Sequence, residues 1–269
     1  MSTQDAAANS RAIRQNPFFF AYSLLLLAIV LIGFAPSFFL RPVFNPPPLL
    51  PYLYLHGAFL TGWFVWLVMQ TWLIKLDNPA LHRKLGYVGT AYGLLVIGGG
   101  LLAVLGEVSH DLSQGVTFDT TINAADPDLG RGITYLAFIS HEVWVSFGDL
   151  SLFAVLFGAA IWLRGNADFH KRLILLAALP IVNPALGRIS RWEVMGSEGG
   201  PFVTLALLAL VAALIINDLL TLKKIHTATL CAIVTALLLH YTAATIGSSD
   251  FGLNFTRSLG HEPGSAAEP

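Results

Sequence analysis

His56, His82, His141 and His170 fall one each in four consecutive apolar stretches, and they alternate between the two ends of those stretches. An ionisable side chain inside a membrane span is costly and marks a functional position by default. Neutral imidazole is a ligand for haem iron, which takes one axial ligand on each face. Two pairs of imidazoles at two depths can therefore hold two irons, and a single pair can hold one metal.

Helices must position these rings. The 269 residues are 55% hydrophobic and only 12% charged, against about 25% charged in a soluble domain. Runs without Asp, Glu, Lys or Arg cover Gln15–Leu40, Pro42–Ile74, Leu85–Gly106 and Ile225–Ser249. Each exceeds the roughly 20 apolar residues that cross a hydrocarbon core as an α-helix. Ile133–Leu163 is also long but carries His141, Glu142 and Asp149, and Leu173–Gly187 and Pro201–Ile216 are shorter candidates. The expected fold is an all-α, polytopic membrane helix bundle of seven transmembrane helices, near 17–39, 51–75, 80–105, 134–163, 169–190, 201–221 and 226–247.

With the N-terminus inside, Arg11, Arg14, Lys75, Arg83, Lys84, Arg164, Lys171, Arg172, Lys223 and Lys224 face the cytoplasm. Arg41, Arg131, Arg188, Arg191 and Arg257 lie outside. Ten against five supports N-in, C-out. The domain plan is a cytoplasmic polar segment 1–16, a transmembrane domain 17–247 with an outer acidic loop at about 107–133, and a flexible tail 248–269. Residues 1–16 lack the apolar region of a secretory signal, so the first span is expected to stay as an anchor. A net charge of −1 offers no basic surface for nucleic acid, and one cysteine, Cys231, permits no internal disulfide. A bacterial inner-membrane, multi-pass setting fits.

Caps mark two of the starts: Asn78 then Pro79 for span three, and Asn166 or Asp168 for span five. Span five carries Pro180 and Pro184, which remove backbone donors and predict a kink. His56 and His141 lie in the first turns of spans that enter from outside. His82 and His170 open spans that enter from the cytoplasm, in the related strings His82-Arg-Lys-Leu and His170-Lys-Arg-Leu. Gly57, and Gly148 on the His141 face, allow close approach of a macrocycle, and Asp149 on that face can orient a ligand or carry a proton. Arg188 and Arg191 outside, and Arg83, Lys84, Lys171 and Arg172 inside, are cations for haem propionates. Arg188 follows His170 by 18 residues, about 27 Å along an unbroken helix.

Plainer readings stand beside these. His82 and His170, flanked by basic residues, can anchor helix ends in headgroups. His141 can pair structurally with Glu142, and His56 can be an interfacial histidine. His240 is a third outer ligand or, preferably, a polar contact. Gln70 and Asn217 read as interhelical contacts. Asp218 is expected at the wet interface or paired with a lysine.

The strings His56-Gly-Ala-Phe, Gln70…His82-Arg-Lys-Leu-Gly and His170-Lys-Arg-Leu resemble an uncharacterised family of bacterial multi-spanning membrane proteins over roughly residues 50–190. The order of the ligands is similar to the cytochrome b561 fold. That resemblance implies that His56 pairs with His141 and His82 with His170, and that the protein moves electrons across the membrane. The long acidic loop and the seventh span depart from that pattern, and no motif specifies ascorbate.

The leading expectation is therefore one or two haem b groups, the outer site favoured over the inner, bound by His56, His141, His82 and His170 with Arg188, in an oxidoreductase for transmembrane or quinol-linked electron transfer. No catalytic residue is assigned. The expected partners are the lipid bilayer and a quinol or small redox donor, and a homodimer is compatible. One alternative is a haem-free transporter or assembly factor with Asp149 in a polar pathway. Another is a zinc-dependent hydrolase using His56, His141 and His240 with Glu142 as general base.

Overall fold

Helix starts follow the local chemistry closely. The computed structural model describes residues 17–122 and 133–260, apart from the side chains of residues 196–200. The readings made for 1–16, for the 123–132 part of the acidic loop with Arg131, and for 261–269 fall outside the described residues. The helices are α1 (Pro17–Gly33), α2 (Arg41–Phe44), α3 (Pro51–Lys75), α4 (Pro79–Ser113), α5 (Tyr135–Trp162), α6 (Ala167–Ser190), α7 (Gly199–Leu222), α8 (Thr227–Gly247) and α9 (Asp250–Ser258). A short π-helical segment, Ala35–Phe39, follows α1.

Among the described residues six helices, α3 to α8, are long and apolar enough to cross a membrane, as in a multi-pass membrane protein. The first expected span corresponds to α1, which is apolar but has only 17 residues. Asn78 Oδ1 accepts from Leu81 N–H at 3.1 Å, and Asn166 Oδ1 accepts from Asp168 and Phe169 N–H at 3.1 and 3.3 Å. The predicted caps of α4 and α6 are thus present.

Two expectations change, for the acidic loop and for the tail. Helix α6 runs unbroken through Pro180 and Pro184. It is also the most buried of the six, with 56% of its apolar window covered. Missing backbone donors are tolerated where the backbone is shielded from lipid. Residues 107–113, assigned to the acidic loop, instead extend α4. Val104, Val108 and Leu112 continue the i, i+4 apolar spacing and pack on Phe118, Tyr135, Ile139 and Val143. Finally, 250–258 is a helix rather than flexible tail. Ser249 caps it by accepting from Gly252 N–H at 3.2 Å.

The chain forms two compact units: unit 1 is 1–97 with 153–232, and unit 2 is 98–152 with 233–269. In unit 1, α6 packs on α1 and α7, and α1 packs also on α3. Gly33 lies against the Ala185 backbone, so a Cβ there would collide with α6. Tyr22 donates to Leu210 O at 3.0 Å, and Ser23 and Thr71 hydroxyls meet at 2.8 Å. In unit 2, a two-stranded antiparallel ladder pairs β1 (Thr121–Ile122) with β2 (Ile133–Thr134). There α9 lies against α5: Trp144 contacts Phe255, Thr256 bonds Ser140, and Ser140 donates to Gly247 O at 2.7 Å.

Candidate functional site

Unit 1 contains two helical hairpins, α3–α4 and α5–α6, with α4 only as far as Ile97 and α5 only from Phe153. Each places a histidine in the first turn of its second helix. The ring of that histidine turns back onto the preceding helix. His82 Nδ1 lies 3.3 Å from the carbonyl of Gln70, 12 residues earlier, and His170 Nδ1 lies 2.9 Å from the carbonyl of Ala160, 10 residues earlier. The echo between His82-Arg-Lys-Leu and His170-Lys-Arg-Leu is therefore a repeated piece of structure.

The two rings meet. Their centroids are 6.2 Å apart and their planes cross at 80°. A metal–imidazole bond of about 2 Å, plus roughly 1 Å from nitrogen to ring centre, separates two axial rings by about 6 Å. Both planes can contain the ligand axis whatever the angle between them. An Nδ1–H donated to a backbone carbonyl leaves Nε2 as a lone pair, which is the usual way a ligating histidine is oriented. His170 has that arrangement. The pair is half-buried, and Gly86, one turn beyond His82, has open space where a Cβ would stand. The ring spacing is the one a bis-imidazole metal centre requires.

The remaining predicted residues are placed differently. His56 belongs to unit 1 and His141 to unit 2. His56 lines a narrow apolar cleft with Val30, Phe34, Phe38, Leu60 and Ile181, and Gly57 is pressed on the Phe38 ring. His56 precedes Gln70 on α3 by 14 residues, or about 21 Å, so it does not join the His82–His170 pair. His141 and Glu142 are exposed. Arg188 ends α6, far along the helix from His170, with its guanidinium 4.2 Å above the Phe34 ring that lines the His56 cleft. It stands at the His56 end of unit 1 and not beside the His82–His170 pair.

Asp218 is not at a wet surface and does not pair with a lysine. It and Arg172 are both buried, joined at 2.6 Å. Asp218 also accepts from His226 N–H at 3.1 Å and Thr229 Oγ1 at 2.9 Å. Arg172 is committed to this network and to the Asp168 carbonyl at 2.9 Å, not to a propionate. Burying a cation in an apolar helix face requires a fixed counter-charge, and the pair ties α6 to α7. Lys171 is bound to Asp168 at 2.7 Å, while Arg83 and Lys84 are exposed one and two residues past His82.

Unit 2 joins His240 of α8 to Asp149 of α5. His240 Nε2 meets Asp149 Oδ1 at 2.9 Å, and its Nδ1 meets the Ala236 carbonyl at the same distance. His240 is thus the polar contact expected for it. Among the described residues no three His, Cys, Asp or Glu side chains converge as a metal-ligand group.

Gln70 was read only as an interhelical contact, yet it adjoins His82 through both its carbonyl and its side chain. Its available signal was position: it is an amide in an apolar run, shortly before the hairpin turn. No protein-family model, no curated protein and no solved structure matches this chain.

Proposed function

We propose that the chain is a b-type haem membrane protein that carries single electrons, with its haem held between His82 and His170. The observation that carries this reading is the 6.2 Å approach of two imidazoles whose Nδ1 atoms each face a backbone carbonyl. Haem iron supplies one-electron chemistry, tuned by its axial ligands, burial and nearby charge. The protein's part is to hold two rings at a fixed separation from two hairpins. Arg83 and Lys84 offer charge for propionates, and the Arg172–Asp218 pair fixes the helix that presents His170.

In this reading the chain crosses a bacterial inner membrane seven times, α1 included, with the N-terminus inside. The His82–His170 site then lies near the cytoplasmic face. The donor and acceptor are a quinol or small redox carrier. The proposal covers this one site; His56 and His141, expected to share an outer haem, belong to different units.

The test is the visible spectrum of the protein purified after haem supplementation. A Soret band is expected. Substituting His170→Ala or His82→Ala should cut bound haem at least tenfold, whereas His141→Ala should leave most of it. Haem retained in full by both inner variants would overturn the assignment.

The Asp149–His240 pair favours a second reading, proton-coupled transport, since paired ionisable groups inside spans mark proton paths. A haem-free protein that acidifies proteoliposomes, with activity lost in Asp149→Asn, would establish it instead.

A further inference from the structure

The His82 and His170 rings differ in what faces Nδ1, and the difference resides in the Gln70 carboxamide. Its NH2 donates to His82 Nδ1 at 2.7 Å and to the His82 carbonyl at 3.2 Å, while its oxygen accepts from Gly86 N–H at 3.3 Å. The backbone decides this orientation. A carbonyl only accepts and an N–H only donates, so the end near the His82 carbonyl must be NH2 and the end near Gly86 must be oxygen. The amide donating to Nδ1 at 2.7 Å is nearer than the Gln70 carbonyl, which lies 3.3 Å from the same atom and favours a proton there, so the amide prevails and the ring proton sits on Nε2. His170 has no such neighbour: its Nδ1 faces the Ala160 carbonyl at 2.9 Å, leaving Nε2 bare.

We infer that Gln70 is a positioning residue that sets the tautomer of His82, so that the metal-free pair has one ready ligand, His170, and one gated ligand, His82. Ligation through His82 Nε2 requires the proton to move to Nδ1. There it is donated to the Gln70 carbonyl at 3.3 Å or to the carboxamide oxygen after that group turns end for end. Turning it faces oxygen to the His82 carbonyl and NH2 to Gly86 N–H, so both backbone bonds are lost. Binding by His82 is thereby weakened relative to His170. A Glu at position 70 presents only acceptors, which removes the gate and makes the imidazole more basic, an effect known for carboxylate partners of ligating histidines. The ligand consequence rests on the haem reading; the tautomer itself does not.

Two measurements separate these. In the haem-free protein labelled with 15N-histidine, imidazole shifts should report His82 as the Nε2–H tautomer and His170 as Nδ1–H, assigned by loss of each signal in His82→Ala and His170→Ala. Gln70→Glu should convert His82 to Nδ1–H. His82 found as Nδ1–H in the unsubstituted protein would overturn the inference whether or not haem binds. In the haem-loaded protein, Gln70→Glu should favour the ferric over the ferrous state by about tenfold, a fall of about 59 mV in midpoint potential. Gln70→Met, which packs but offers no amide, should release the gate without adding a carboxylate and so raise haem affinity with a smaller change in potential. Unchanged affinity in Gln70→Met together with an unchanged potential in Gln70→Glu would reject the gate while leaving the haem reading intact. Absence of any Soret band would remove the haem reading and leave the tautomer result to stand or fall alone.

Discussion

His226 shows how much one ring can decide at the end of a span. It sits between α7 and α8, and its Nδ1 accepts from Ala228 N–H at 3.1 Å, capping α8. Only an unprotonated Nδ1 can do this. Burial holds its pKa below the usual 6.5, and the Arg172 charge pushes the same way. The unfolded chain therefore binds a proton that the folded one resists, so stability rises with pH across that window. Stability is constant above about pH 6.5 and falls as the medium is acidified toward the depressed folded value. Thermal unfolding followed by circular dichroism in detergent should show this acid loss. His226→Asn, which caps without titrating, should flatten it. An acid limb of equal size in the variant would place the titration elsewhere. In the sequence His226 stands between two apolar runs and reads as a loop-edge residue, which is its place in the structure. Its capping role was hidden because Thr227 and His226 both stand at the helix start, and sequence does not say which group reaches the N–H.

At the scale of elements, the caps and apolar spacings made the long helices legible within a few residues. What was not legible is which polar groups the helices bury together. Arg172 follows His170 and Lys171, a string that reads as a solvated cytoplasmic end. Yet α6 is the helix surrounded on most sides, and a residue two places from an exposed turn is already inside. The charge is tolerated because α7 brings Asp218 and α8 brings Thr229 to the same point. Removing one partner of a buried pair costs about 3–5 kcal/mol, so Asp218→Ala should unfold well before the unsubstituted protein. The double replacement Arg172→Met with Asp218→Leu should restore most of the loss, since apolar groups of similar volume satisfy the same space. If the double variant is no better than Asp218→Ala, the network serves some purpose other than neutralising Arg172. The histidine pairing was half-legible for a related reason. The order and depth of the rings can be counted along the chain, and that count paired His82 with His170. Whether two rings face each other depends on hairpin geometry, here the return of each Nδ1 to a carbonyl 10 or 12 residues back.

For the whole molecule the open quantity is the number of crossings, and α1 decides it. Six helices satisfy length and apolarity without it. The 17 residues of α1 rise about 26 Å, a little under a hydrocarbon core of about 30 Å. Two features argue that it crosses. It packs against both α3 and α6, so it shares the depth of helices that are long enough. The apolar path also continues beyond Gly33 through Ala35–Phe39 to Arg41, whose guanidinium donates to the carbonyls of Ser37 and Pro46. A cation held at the end of an apolar helix is the arrangement expected where the chain reaches the opposite interface. Seven crossings put the two termini on opposite sides, and six put them on the same side. In a Cys231→Ser background, single cysteines placed at Lys223 and Gly115 should label from opposite faces with a membrane-impermeant maleimide, with Lys223 reached only after the cytoplasmic side is opened. A cysteine near residue 10 should follow Lys223, and one near residue 262 should follow Gly115. Labelling of both ends from one face would show that α1 does not span. The His82–His170 pair would still lie on the same side as Lys223, because that placement depends on α4 to α7 alone.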